Sequence, residues 1–263
     1  MSQLLADTWA LTRRWLVHLR RDRMSLTLGI IQPLVLLTLV GPLLHHVVRD
    51  AEGVRAELIA RFRTDDYLTF LYSGIAVFTI LVNSILGGIP VIFDRETGFL
   101  DKILASPASR LSIVASRFVY VILYSLLQVG IVTVVALALG VRAAAPLEAA
   151  LAVLCFGTLL CAGISVLSLA LAFKLPHHSI FFAITGFLLS PLLVLSPTFV
   201  AREAMPGWMQ AVAAWNPMTH AIEPIRAAFL GTPATPWASA AALLAFDVVC
   251  FAFAVRVLKR NLE

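Results

Sequence analysis

The sequence predicts an all-α integral membrane protein built around six transmembrane helices, and three observations lead there. Of the 263 residues 60% are apolar and 13% charged, where soluble domains sit near half and a quarter. The mean hydropathy is +0.92. The apolar residues gather in six stretches, 24–44, 67–93, 113–139, 147–173, 179–200 and 237–258. Each reaches the roughly 20 residues a helix needs to cross about 30 Å of hydrocarbon. The stretches are apolar all round, whereas barrel strands alternate over about ten residues. The predicted division is one domain over 1–263: an interface helix to residue 23, a six-helix bundle over 24–258, and a tail of 259–263.

The elements follow in order. Over residues 4–23, Leu4, Leu5, Trp9, Leu11, Trp15, Leu16 and Leu19 fall on one half of a helical wheel. Asp7, Arg13, Arg14, Arg20 and Arg21 take the other half. Such a helix lies in the headgroup layer with its tryptophans at the interface, as a plain anchor or as an anchor that also touches a partner. About 23 polar or amphipathic residues precede the first long span, which is not the pattern of a cleavable signal peptide. The loop at 45–66 is charged, with Val54, Leu58 and Phe62 spaced for a short helix.

The stretch after the second span holds Asp94, Arg95 and Glu96 where the chain leaves the bilayer. Residues 97–104 are read as a short helix with Phe99, Leu100, Ile103 and Leu104 on one face, stopped by Pro107. That face either docks in a groove on a partner or tucks into the headgroups. Tight turns are expected near 140–146 and 174–178. Adjacent histidines, His45 with His46 and His177 with His178, point different ways and make poor metal sites. Cys155 and Cys161 lie six residues apart on one helix, about 9 Å of rise and too far for a bridge. Residues 197–236 are apolar yet broken by six prolines. Two short helices over about 207–215 and 218–230, cornered at Asn216 and Pro217, form a hairpin at the membrane edge.

Basic residues set the expected orientation. With six spans, the side holding both termini carries 13 of the 20 lysines and arginines, and the other side 7. Both termini are therefore expected in the cytoplasm, and the net charge of +5 is a topology signal rather than a nucleic-acid footprint.

Several chemistries are excluded. None of the three lysines, Lys102, Lys174 and Lys259, follows a glycine, so no phosphate-cradling G-x-x-x-x-G-K-[ST] loop exists. Neither G-x-S-x-G nor H-E-x-x-H occurs, and no catalytic residue, metal ligand or bound cofactor is assigned. Asp247 is the one carboxylate well inside a span, with a structural role or a part in ion handling. Gln32, Asn83 and Gln128 are the other mid-span polar side chains, expected to hydrogen-bond between helices.

Two motifs carry a resemblance. Arg95-Glu96-Thr97-Gly98-Phe99-Leu100-Asp101-Lys102-Ile103-Leu104-Ala105-Ser106-Pro107 resembles the R-E-x-G-T-L-(E/D)-x-(L/I)-L-(A/V)-(T/S)-P loop of permease subunits in type-2 ATP-binding-cassette (ABC) exporters. Phe99 departs from it, standing where a small residue or threonine is common. Pro206-Gly207-Trp208-Met209-Gln210, then Asn216-Pro217-Met218-Thr219-His220 and Arg226, is similar to that family's P-G-W-x-Q and N-P-(L/M)-T-(Y/H) pattern, with Glu223 as the acidic residue before the arginine. The resemblance implies a homodimeric permease in a bacterial cytoplasmic membrane. A separate ATPase subunit would bind the ATP and magnesium. Asp94, Arg95, Glu96, Gly98, Phe99, Leu100, Asp101, Lys102 and Leu104 would form the coupling segment that docks on it. Residues 206–230 would be a re-entrant hairpin, with the first and fifth spans along the dimer interface and path. The branch it looks most like exports drugs and other amphiphiles; lipid-linked glycan export is the alternative.

Overall fold

A computed structural model of the chain describes residues 7–14, 17, 23–43, 46, 56, 66–98 and 110–262. Among the described residues there are helices and turns and no strand. Residues 7–14 are helical, within the expected interface helix. Helix α1 is Arg23–Val35, followed directly by a π-helical stretch, Leu36–Val40. Pro33 lies inside α1; proline removes one backbone donor and a widened turn accommodates the gap.

Helix α2, Tyr67–Leu86, is the hub: 18 of its 20 residues are buried. A helix without a charged residue and apolar on every side has no solvated face to present, so its neighbours surround it. Asp66 caps its start, accepting from the Leu68 N–H at 3.0 Å and the Thr69 hydroxyl at 2.5 Å. After a break at Gly87 and Gly88 the chain continues as α3, Ile89–Glu96, with Pro90 in its first turn. The Ser168 hydroxyl bridges the break, donating to the Ile85 carbonyl at 2.5 Å and accepting from the Gly88 N–H at 3.1 Å. Ser168→Ala therefore leaves a buried donor unmade and is expected to cost about 1–3 kcal/mol, read as a lower thermal midpoint in detergent; an unchanged midpoint would refute the bridge.

Helices α4 (Arg110–Ala138) and α5 (Pro146–Lys174) pack on α2 from two sides. Helix α6 is His178–Val194, α7 is Gly207–Ala213, α8 is Pro217–Leu230 and α9 is Pro236–Leu262. Helix α9 runs along α5, while α8 wedges between α5 and α2. The core is formed by Phe70, Tyr72 and Phe78 of α2 with Phe156 and Leu160 of α5 and Met218, Ile222 and Phe229 of α8. Outward-facing Val134, Leu151, Phe187 and Val248 are exposed, as lipid-facing side chains are. Cys155 joins that exposed set while Cys161 is buried, so the two thiols face different surroundings.

Among the described residues four helical stretches have the length and apolarity of membrane spans: Tyr67–Glu96, Ala115–Ala138, Pro146–Lys174 and Pro236–Val257. The first and fifth predicted windows correspond to shorter apolar helices, Gly29–Leu43 and His178–Val194. The fifth window, 179–200, stops early because Pro191 and Pro197 remove donors there, and the chain turns after Val194. Mid-bundle, the Asn83 amide donates to Gln128 Oε1 at 3.0 Å and joins α2 to α4, whereas Gln32 lies on an exposed face. Asp247 of α9 is buried and faces Gly163 of α5. A Cβ on Gly163 would run into Asp247 Oδ1 and the Phe246 ring, so the absent side chain is what lets the carboxyl fit.

Candidate functional site

The described residues of the two sequence motifs take part in two polar junctions at opposite ends of α6. At the first, the three charged residues closing α3 each reach a different helix. Asp94 Oδ2 meets Arg117 Nη2 of α4 at 3.3 Å, and the Arg117 side chain is only 5% exposed. The Arg95 Nη1 nitrogen sits among the carbonyl oxygens of Ala172, Phe173 and Leu175, at 2.6, 2.8 and 3.2 Å. These are carbonyls at the C-terminal end of α5, which lack intrahelical partners and carry the negative end of the helix dipole.

Glu96 does the converse at the start of α6. Its Oε1 accepts from the His178 backbone N–H at 2.9 Å, and both carboxylate oxygens contact His178 Nδ1, at 2.9 and 2.8 Å. A carboxylate at a helix N-terminus complements both its free donors and its dipole. The Phe93 ring stacks on the same imidazole, centroids 5.1 Å apart. One turn of α3 thus fastens α4, the end of α5 and the start of α6 together.

Thr97 then caps α3, and Gly98 takes φ +67°, a left-handed conformation that ends the helix and that glycine enters without strain. This alters the expected helix over 97–104: its first two residues are instead the cap and terminator of α3. Phe99, Leu100, Asp101, Lys102 and Leu104 lie outside the described residues.

The second junction holds the 206–230 segment. Pro206 caps α7, which opens at Gly207, and Trp208 is exposed. Asn216 caps α8 by accepting from the Met218 N–H at 3.0 Å, with Pro217 in the first turn where its missing donor costs nothing. Its amide nitrogen donates to the carbonyls of Leu192 and Leu195, both at 2.8 Å, tying the corner to the end of α6. His220 Nε2 lies 2.9 Å from the Ala214 carbonyl. Glu223 pairs loosely with Arg202 at 3.9 Å, and burial pushes its carboxyl above the ordinary value while Arg202 pulls the other way.

Arg226 is buried, at 3% exposure. Its guanidinium lies 3.5 Å over the Phe70 ring, its Nε donates to Ser73 Oγ at 3.0 Å, and Nη2 donates to the Pro197 carbonyl. Beside it, the Tyr67 hydroxyl donates to the Phe199 carbonyl at 2.6 Å. The described motif side chains named above make these polar contacts within the chain, and Asp247 belongs to neither junction.

Sequence reasoning missed the receiving groups: Arg117, Ser168, His178, Phe70 and Ser73. Only Arg117 carried a signal, being a cation placed a few residues inside an apolar window. Among the described residues no cluster of His, Cys, Asp or Glu has the geometry of a metal site.

The chain has clear relatives. The profile of the ABC-2 type transporter family matches residues 6–230. A putative transport permease ycf38 of Cyanophora paradoxa is 34% identical over 223 residues, covering 84% of this chain and 73% of that one. Its namesake in Porphyra purpurea is 34% identical over 234 residues, covering 88% and 76%. The daunorubicin resistance ABC transporter permease protein DrrB1 of Streptomyces coeruleorubidus is 28% identical over 173 residues, covering 64% and 60%. Such permeases are not themselves catalytic and work with an ATP-binding subunit. With residues 6–230 matched end to end and the apolar helices in place, the chain belongs to the ABC-2 type transporter family, the membrane permeases of ABC transporters.

Proposed function

We propose that this chain is the permease subunit of an ATP-driven exporter that carries a hydrophobic or amphipathic substrate, a drug, lipid or lipid-linked molecule, out of the cytoplasm or inner leaflet. The observation that carries the reading is the junction at the end of α3. Asp94, Arg95 and Glu96 hold three helices just before residues 99–109. Force applied to that segment by a soluble ATPase is delivered to three helices at once, which is what an energy-coupling segment needs. Residues 95–104 are the docking segment in this reading. The bundle crosses a bacterial cytoplasmic membrane six times with both termini inside, and two copies pair. Residues 206–230 are a re-entrant hairpin on the far side. Support for an amphiphilic cargo comes from the DrrB1 relative, named for daunorubicin resistance, and from the largely apolar helices. Asp247 serves as a packing group against Gly163.

The test is co-purification of the tagged chain from native membranes in mild detergent, with ATPase activity measured on what accompanies it. A stoichiometric ATP-hydrolysing subunit is expected. Glu96→Ala and Leu100→Pro should each lower ATP-driven transport more than about tenfold with membrane insertion retained, in line with the loss of a positioning contact. Normal transport in both variants would remove residues 95–104 from the coupling role.

A further inference from the structure

The middle of the bundle holds a polar layer to which neither motif contributes. Ser84 of α2, Ser125 of α4, Cys161 and Ser165 of α5, and Asp247 and Cys250 of α9 are all buried. Ser84, Ser125, Cys161 and Asp247 each stand close to the middle of their span, so four helices bring small polar groups to one depth. The Cys161 thiol faces the hydroxyls of Ser84 and Ser125 and lies 3.6 Å from Ser165 Oγ, and the Asp247 carboxyl acts on both thiols. None of these residues belongs to α1 or α6, the helices of the first and fifth windows.

Two atoms of the layer are orphaned. Among the described residues three buried side-chain oxygens make no hydrogen bond, and Ser125 Oγ and Asp247 Oδ1 are two of them. Asp247 is 7% exposed. Among the described residues no lysine, arginine or histidine acts on it. The layer meets it with hydroxyls from α2 and α4, with Cys161 from α5 and with Cys250 from its own helix, and α8 brings it no charge.

Hydrocarbon supplies no water to pair such groups, and a lone carboxylate there is costly. A metal cation would need a cage of oxygens. Here two of the neighbours are thiols, and a Cβ on Gly163 would lie 2.3 Å from Oδ1, so that side is closed. A proton needs no cage. Added to Oδ1 as an O–H bond, it removes the charge and turns an orphaned acceptor into a donor, with no electron transferred.

We propose that this layer is a proton-binding site, with Asp247 taking the proton on Oδ1 among the hydroxyls and thiols of the surrounding helices. Beside its packing against Gly163, the carboxyl then holds or releases one proton in the middle of the bundle. Each release leaves an unpaired charge between α5 and α9. The site does not depend on the exporter reading, since neither motif reaches it.

Infrared spectroscopy of the full chain in lipid nanodiscs tests it without any ATPase or substrate. At a pH of about 7 a carboxylic-acid carbonyl band is expected, since aspartates in water are ionised there. Heavy-carbon labelling of aspartate should move that band, which separates it from Glu223. Heavy water should shift it as deuterium replaces the proton, and alkaline titration should replace it with carboxylate bands. Asp247→Asn should abolish it, while Glu148→Gln, at the exposed start of α5, should leave it unchanged. Aspartate carboxylate bands with no acid band at a pH of about 7 would overturn the proposal. So would an acid band that neither exchanges nor titrates, because Asp247 would then be sealed packing. Should Asp247→Asn fail to insert, the isotope shifts and the titration of the unaltered chain decide alone.

Discussion

Replacing Arg226 with alanine is expected to destabilise the protein by about 3 kcal/mol, a figure assembled from its separate contacts. A desolvated cation–π contact contributes about 2 kcal/mol, and leaving a buried polar partner unmade costs about 1–3 kcal/mol. The Phe70 face, the Ser73 hydroxyl and the Pro197 carbonyl each lose the guanidinium at once. Against this stands the relief of no longer burying a charge, which keeps the total below the simple sum. Arg226→Lys should be nearly as harmful, because an ammonium cannot stack flat on Phe70 while donating in two directions. Arg226→Met, which fills the volume without the charge, should recover about half of the loss. Thermal unfolding of the detergent-solubilised chain reads all three. A midpoint for Arg226→Ala equal to that of the unaltered chain would show that the guanidinium does not hold α8 to α2.

Replacing Arg95 gives the opposite ranking. Here a single nitrogen, Nη1, sits among three carbonyl oxygens of the α5 terminus. An ammonium with three donors suits that arrangement, so Arg95→Lys is expected to keep at least about half of the transport activity. Arg95→Ala removes the donor shared by the three terminal carbonyls of α5 and frees the turn between α5 and α6. A charge-assisted bond of this kind contributes about 1.5–3 kcal/mol, and its loss should lower transport more than about tenfold. Transport assays on reconstituted vesicles, with ATPase activity measured in parallel, separate lost coupling from lost assembly. Equal activity in Arg95→Ala and Arg95→Lys would refute the role of the cation at that terminus.

The contrast between the two arginines marks how far the sequence could be read. Both stand in motifs, and both were picked out by residue type and spacing. Nothing in the spacing indicated that one wraps a helix terminus while the other stacks on an aromatic ring. The Arg95 partners lie 77 to 80 residues downstream, and Ser73 lies 153 residues before Arg226. The corner at Asn216 was legible because Asn-Pro before an apolar run is a local capping signal, fixed within three residues. Thr97 and Gly98, expected to open a helix, instead end α3, for a related reason. Gly98 reads equally well inside a short helix or as a terminator, and the bonds made by Glu96 to α6 decide for the latter.

By itself the sequence determined the class of protein and where it lives. Apolar length and the scarcity of charge require a helical membrane bundle, since every backbone polar group in hydrocarbon must be paired within its own segment. It also determined the family, through motifs that are contiguous in the chain. Only the tertiary structure decided which helix is the hub, why Gly163 faces Asp247, and that α6 is gripped at both ends by the two motifs. Those outcomes depend on which surfaces meet. A nearly uniform apolar surface encodes burial in lipid without encoding its neighbour, so the partners are chosen by packing and by the few polar groups that must find one another.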